Sequence, residues 1–206
     1  MINTLIAQGA EAKLFRKGAI LIKERTPKHY RLKEIDEKLR TQRTRREARM
    51  LERSAHLIPV PRLLSADETK GTITMQFIPG KKIADCLDFF NPTKRRELCE
   101  QIGRQVALLH NNNIIHGDLT TSNMILQEKR IYFLDFGLSF IDEQAEHKAV
   151  DLHLLKQALE SKHWRHYEPS YKAVIEGYLE EAQEGTKILE RLRTVELRGR
   201  YKRKGS

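Results

Sequence analysis

The spacing of apolar residues changes several times along the chain. Lys13-Leu14-Phe15-Arg16 and Ala19-Ile20-Leu21-Ile22-Lys23 are short apolar-rich runs around Lys17-Gly18, which predicts two paired strands. Before them Leu5-Ile6 leads into a tight turn over 8–12. Beyond Pro27 the period lengthens to that of a helix, from about Tyr30 to Arg53. Leu32, Ile35 and Leu39 form one stripe, Ala48 and Leu51 a second, and the polar stretch 41–44 between them predicts a break or bend. Val60-Pro61 and Leu63-Leu64 lead into a strand. Gly71 to Ile78 reads as the next, stopped by Pro79-Gly80.

The second half starts with Asn91-Pro92, an N-cap candidate with proline at the first helical position. Leu98, Ile102, Val106 and Leu109 then line one face of a helix that ends near His110. Ile131 to Leu134 predicts a short buried strand. Three helices follow: one from Ala149, one after Pro169 carrying Tyr171, Val174, Ile175, Tyr178 and Leu179, and a short one over 188–195. Strands first and helices afterwards make this an α+β chain.

Between Ile114-Ile115 and Met124-Ile125-Leu126 lies His116-Gly117-Asp118-Leu119-Thr120-Thr121-Ser122-Asn123, and Leu134-Asp135-Phe136-Gly137 follows. Asp118 and Asn123 therefore fall on a loop between apolar anchors, and Asp135 at a strand end. That arrangement suits Mg-ATP: phosphoryl transfer needs a carboxylate beside the attacking oxygen and hard oxygen ligands for the metal. Taken singly, an Asp or Asn here could simply cap a turn. Both groups in this order are much harder to assign to turns alone.

The spacing H-x-D-x-x-x-x-N followed by D-F-G resembles the catalytic core of protein kinases. The resemblance implies a reduced two-lobed kinase-like fold, with a β-rich N-lobe over 1–79, one long helix, and a minimal helical C-lobe over 80–197. It makes Asp118 the catalytic base and Asn123 and Asp135 the Mg²⁺ ligands. Lys23 would reach the α- and β-phosphates of ATP, with Glu47 as its partner; Glu34 and Glu37 are the rival choices. Gly9, Ala10, Glu11 and Ala12 would form the turn over the nucleotide. Met75 would line the back of the adenine pocket, with Gln76, Phe77 and Ile78 as the hinge.

Charge adds a second theme. The 38 Lys and Arg outnumber the 28 Asp and Glu, giving a net charge of +10, which favours a polyanionic partner, RNA foremost. Arg40, Arg43, Arg45, Arg46, Arg49 and Arg53 give the long helix a basic surface, either a solvated face or a site for RNA or an acidic partner. The 198–206 tail is also basic, with Arg198, Arg200, Lys202, Arg203 and Lys204. Cys86 and Cys99 do not form C-x-x-C, so they read as reduced cysteines of a cytoplasmic protein. No apolar run is long enough to span a membrane, and no signal peptide is expected.

Departures from ordinary protein kinases narrow the family. There is no G-x-G-x-x-G, Gly117 replaces the usual Arg, Thr120 replaces a frequent Lys, and no A-P-E follows D-F-G. Gly9-Ala10-Glu11-Ala12, Lys23 with Arg25, Arg45-Arg46-Glu47-Ala48-Arg49, Val60-Pro61, the two catalytic motifs through Leu138-Ser139, Ala149-Val150-Asp151-Leu152 and Arg198-Gly199-Arg200 are similar to the small atypical kinase subunit of the KEOPS complex. That family is related to the Rio kinases and is called PRPK in eukaryotes. The resemblance covers essentially the whole chain. It implies an ATP-dependent Ser/Thr kinase with ATPase activity, which supports N6-threonylcarbamoyladenosine formation in tRNA beside the threonylcarbamoyl transferase and other KEOPS subunits. It also implies that the basic tail docks on the transferase or on tRNA. Two rivals share features of the site: aminoglycoside and choline kinases, which carry H-G-D-x-x-x-x-N, and a non-catalytic RNA-binding scaffold on a kinase fold.

Overall fold

The computed structural model describes residues 4–203, with side chains up to 198. The N-terminal part is an antiparallel sheet of β1 (Thr4–Gln8), β2 (Ala12–Lys17), β3 (Ile20–Arg25), β4 (Leu63–Asp67) and β5 (Thr72–Gln76), in the order β1-β2-β3-β5-β4. The Lys17-Gly18 turn joins β2 to β3, with Lys17 paired to Ile20 and Lys13 to Glu24. Because side chains alternate along a strand, Lys23 and Arg25 share a face, and both are buried.

Helix α1 (Lys33–Ser54) is inserted between β3 and β4. It is one continuous helix, so the bend expected at 41–44 does not occur. Thr44 sits inside it, buried, with its hydroxyl donating to the Arg40 carbonyl at 2.8 Å, which satisfies the polar group locally. The stripe of Leu32, Ile35 and Leu39 is also not a core face: Leu32 and Ile35 are exposed. The buried face is Asp36, Thr44, Glu47, Ala48, Met50, Leu51 and Ser54. Charged residues are buried there because each is paired: Asp36 with Arg40 one turn along the helix, and Glu47 with Lys23 and Arg25 of β3.

The chain then forms β6 (Lys81–Lys82), α2 (Ile83–Cys86) and α3 (Pro92–Asn111). Asn91 caps α3 by accepting from the Lys94 N–H at 2.8 Å. β7 (Ile114–Ile115), β8 (Met124–Gln127), β9 (Arg130–Phe133) and β10 (Phe140–Ile141) follow. β6, β8 and β9 make a three-stranded sheet, and β7 pairs with β10. The remaining helices are α4 (Ala145–Lys162), α5 (Tyr167–Glu181) and α6 (Gly185–Arg203).

α4 begins four residues before the predicted Ala149. Pro169 lies within the first turn of α5 rather than ahead of it, where its missing N–H costs the helix nothing. α6 is not a short element ending near 195: it runs on to Arg203, through most of the predicted tail. Lys204 lies outside the described residues.

α3 and α5 cross very closely. A Cβ at Gly103 would lie 2.0 Å from the Val174 carbonyl oxygen, and one at Gly177 would lie 2.1 Å from that of Glu100. One apolar cluster runs from Leu51, Ile73 and Met75 through Ile102, Val106 and Phe136 to Leu152, Val174 and Tyr178. The core is therefore continuous across the boundary expected at 79/80.

Candidate active site

The catalytic loop is built from β7 outwards. Gly117 has φ +78, a conformation that L side chains rarely adopt, and a Cβ there would meet the Leu138 carbonyl oxygen at 2.6 Å. This gives the departure from Arg to Gly a local reason. His116 is buried, with its ring 4.8 Å from that of Phe136 and its Nε2 3.0 Å from the Leu134 carbonyl. Asp151, on α4, holds the loop from beneath: its carboxylate accepts from the His116 N–H at 2.6 Å and the Gly117 N–H at 2.9 Å. The His110 ring lies 3.4 Å from the same carboxylate and 2.9 Å from the Tyr178 hydroxyl, so α3, α4 and α5 all converge on this anchor. Neither the anchoring role of Asp151 nor that of His110 was visible in the sequence, because a single Asp in a helical stretch reads as surface.

Asp118 and Asn123 face one another. The Asn123 amide nitrogen donates to the Asp118 carbonyl and to its Oδ2, both at 2.9 Å. The Asn123 carbonyl accepts from the Leu134 N–H at 2.9 Å, which brings the loop against the residue preceding Asp135. Asp135 has φ 59 and accepts from the Gly137 N–H at 3.3 Å.

From the other side comes a chain of charges. The Lys23 ammonium is 2.7 Å from Glu47 Oε1 and 2.7 Å from Asp135 Oδ1. Glu47 is thus the α1 carboxylate that meets Lys23, rather than Glu34 or Glu37. Arg25 Nη2 donates to Glu47 Oε2 at 2.5 Å. Burial alone would push the Lys23 pKa down, but the Glu47 and Asp135 carboxylates outweigh burial and Arg25 repulsion and hold it above its ordinary value. The Asp135 carboxyl is displaced the opposite way. Partial burial pushes it up, while Lys23, the Gly137 N–H and Arg25 pull it below the usual carboxylate range. Arg25 lies two residues beyond Lys23, where the expected strand stopped; β3 in fact runs on to Arg25, and the period-2 alternation then puts both side chains on one face.

Residues 9–12 form a turn closed by the Gly9 N–H donating to the Ala12 carbonyl at 2.9 Å. Glu11 pairs with Arg43 of α1 at 2.6 Å, and the Lys28 ammonium donates to the Ala10 carbonyl. Met75 is buried in β5. In the expected hinge, the Gln76 N–H donates to Arg62 and the Phe77 N–H to Ala19, so those two donors are already used within the sheet. The Phe77 ring lies under the Arg16 guanidinium at 4.1 Å. Arg198 pairs with Glu146 at the start of α4. The side chains of Arg200, Lys202 and Arg203 lie outside the described ones.

Among the described residues no three His, Cys, Asp or Glu form a closed metal cage. Oxygen donors at the site include the Asp135 carboxylate, the Asn123 amide and the Asp118 carboxylate beside it. That donor chemistry fits Mg²⁺, which keeps waters and substrate phosphates in its shell and takes one or two protein oxygens.

Residues 17–168 match the protein kinase domain. The chain is 43% identical over 211 residues to the KEOPS complex subunit Bud32 of Pyrococcus abyssi, covering 96% of each. The chain belongs to the protein kinase family, in its Bud32 and PRPK-like branch. It is also 38% identical, over 96% of its length, to a probable bifunctional tRNA threonylcarbamoyladenosine biosynthesis protein of Methanosarcina mazei, of which it spans only 35%. Among solved structures, the Rio2 kinase of Chaetomium thermophilum, with ADP/Mg²⁺ and phosphoaspartate, superposes with a TM-score of 0.64 at 14% identity. It covers 95% of this chain and 70% of that one, a likeness of fold. The kinase-like architecture, with a β-rich N-lobe, one long helix and a small helical C-lobe, therefore stands.

Proposed function

We propose that this protein is a Mg²⁺- and ATP-dependent serine/threonine kinase with ATPase activity, working as a KEOPS subunit in forming N6-threonylcarbamoyladenosine in tRNA. The observation that carries the Mg-ATP part of this reading is the unbroken ionic chain Glu47–Lys23–Asp135, with Asn123 hydrogen-bonded both to Asp118 and to the residue before Asp135; the 43% identity to a KEOPS subunit supports the rest. A scaffold that had lost catalysis would have no need to keep two cations and two carboxylates together at buried or partly buried positions.

Each residue then has a task. Lys23, oriented by Glu47, binds the α- and β-phosphates. Asn123 and Asp135 hold Mg²⁺, which supplies neutralisation of phosphate charge. Asp118, oriented by the Asn123 amide, receives the proton of the attacking hydroxyl or water. The turn over 9–12 covers the nucleotide, and the hinge Gln76–Ile78 lies against adenine beside Met75. Partners of the proposed complex are the threonylcarbamoyl transferase and tRNA, and the basic residues Arg198, Arg200, Lys202, Arg203 and Lys204 are proposed to dock on one of them. A cytoplasmic location belongs to the same proposal.

The test is ATP turnover by the full chain with Mg²⁺, measured alone, with tRNA and the transferase subunit, and with an aminoglycoside. Stimulation by the transferase and tRNA, and none by the aminoglycoside, is expected. Absence of turnover in every mixture would remove the enzymatic reading. Turnover driven by the aminoglycoside would replace the acceptor with a small molecule.

A further inference from the structure

Glu47 carries more cationic contact than a lysine partner needs. It is 1% exposed, and its two oxygens are divided, Oε1 to Lys23 at 2.7 Å and Oε2 to Arg25 at 2.5 Å. Arg25 itself is 5% exposed, and its Nε is buried with no hydrogen-bond partner. Burying a guanidinium with a donor unsatisfied is costly, so packing alone does not favour it.

The surroundings of Arg25 tie three elements together. Its main chain ends β3, pairing with Ala12 and donating to the Gly71 carbonyl at 3.0 Å. Its guanidinium reaches α1 through Glu47. The same Nη2 also abuts the turn after Asp135: a Cβ on Gly137 would lie 2.8 Å from Arg25 Nη2, 3.2 Å from Asp135 Oδ1 and 3.5 Å from Glu47 Oε2. The D-F-G glycine is thus the space into which the guanidinium fits. Arg25 also acts on both charged neighbours at once, opposing the proton on Lys23 and favouring the ionised Asp135.

We infer that Arg25 is a positioning residue of the ATP-dependent reaction: it holds Glu47 and the Asp135–Gly137 turn in place, so that Lys23 and Asp135 can exchange their mutual contact for phosphate and metal without the site rearranging. The inference rests on the Mg-ATP reading above. The physical argument concerns what remains when the Lys23–Asp135 pair opens. Lys23 leaving Asp135 for a phosphate would pull on Glu47 and would leave Asp135 without its nearest cation. A second, immobile cation that stays on Glu47 and beside Asp135 prevents both movements. Arginine suits this task and lysine does not, because its guanidinium is flat, delocalised and held in one orientation between Glu47 and the Gly137 turn, whereas an ammonium is a compact, strongly hydrated point charge on a flexible stem.

The test uses the full chain with Arg25→Lys and Arg25→Gln, read by turnover in separate Mg²⁺ and ATP titrations and normalised to the folded fraction from chemical unfolding. For Arg25→Lys, kcat falls and the half-saturating Mg²⁺ concentration rises, each by about 10-fold, the lower end of what is lost when a group orienting a ligand is changed. The ATP KM moves by less than about 3-fold, since Lys23 is untouched. Arg25→Gln gives the same pattern, larger. A purely structural arginine would instead lower the unfolding midpoint and leave kcat per folded molecule and the Mg²⁺ requirement unchanged. That result in Arg25→Lys, whether or not Arg25→Gln folds, overturns the inference. A wild-type chain without turnover both alone and with the transferase and tRNA overturns the Mg-ATP reading, and the inference with it.

Discussion

Replacing Asp151 by Asn tests how the catalytic loop is held. The side chain is 1% exposed, and its two oxygens accept separately, Oδ2 from the His116 N–H at 2.6 Å and Oδ1 from the Gly117 N–H at 2.9 Å. Asparagine keeps the shape but has only one accepting oxygen. One main-chain N–H must therefore face an NH₂ group, in a place water does not reach. A hydrogen bond to a charged group contributes about 1.5–3 kcal/mol, and an orphaned buried donor costs about 1–3 kcal/mol, so Asp151→Asn should destabilise the fold by about 2–4 kcal/mol. With a urea m-value of about 2 kcal/mol/M, that lowers the unfolding midpoint by about 1–2 M with an unchanged slope. Asp151→Ala orphans both donors and should cost more. Turnover should fall in the folded Asn variant as well, because Asp118 follows these two amides directly in the chain. A midpoint shift below about 0.5 M would mean that the loop is held by something other than this carboxylate.

Four further outcomes are expected. Asp135→Ala abolishes Mg²⁺-dependent ATP turnover with the fold retained, checked by turnover and circular dichroism; wild-type turnover in the folded variant would refute the metal assignment. Asp118→Asn lowers turnover while ATP binding, measured by calorimetry, is largely kept. The Asp135 carboxyl lies below and the Lys23 ammonium above their ordinary values near 3.8 and 10.5, so their stabilising contributions are complete between these pH values. The first is lost as pH falls through the depressed value and the second as pH rises through the elevated one, so the stability difference between wild type and Asp135→Asn should be flat from pH 5 to 9 and shrink at both ends, as Asp135 protonates in acid and as Lys23, which Asp135 helps to keep charged, deprotonates in alkali. Deleting 198–206 should leave thermal unfolding and ATP affinity nearly unchanged, because the one ion pair described for that segment, Arg198–Glu146, is exposed, yet it should reduce stimulation by transferase and tRNA and the salt dependence of their binding.

What the sequence revealed and what it hid follow from the range of the interactions. The β2–β3 pair, β5 and α3 were legible because their signals are local: Lys17-Gly18, Pro79-Gly80 and the Asn91-Pro92 start each act within a few residues. Asp118, Asn123 and Asp135 were legible as a spaced motif. The inward face of α1 was misread because Asp36 and Glu47 are buried by partners that include distant ones, whereas Leu32 and Ile35 are left in solvent. The length of α6 was underestimated for a similar reason. Its polar half is supported by Lys156–Glu196 and by Arg191 and Arg198 on Glu146, pairs more than thirty residues apart that no window could contain. Arg25 and Asp151 are charged residues whose importance lies wholly in what the fold brings to them.

The segment from Ser139 to Gln144 has a thermodynamic consequence. Ser139 donates to the His116 carbonyl, Phe140 and Ile141 pair with Ile115 and Ile114, Asp142 donates to the Asn113 carbonyl, and Gln144 donates to the Asp142 side chain. The stretch that follows Asp135–Gly137 is thus stitched to the stretch that precedes Asp118. A macromolecule approaching the cleft from this side has no loop to freeze. Its association should carry little conformational entropy cost from this protein, and its heat-capacity change should follow from the apolar area covered rather than from coupled folding. A partner on this side would then act through how well it fits a segment already held by main-chain hydrogen bonds, rather than by ordering it.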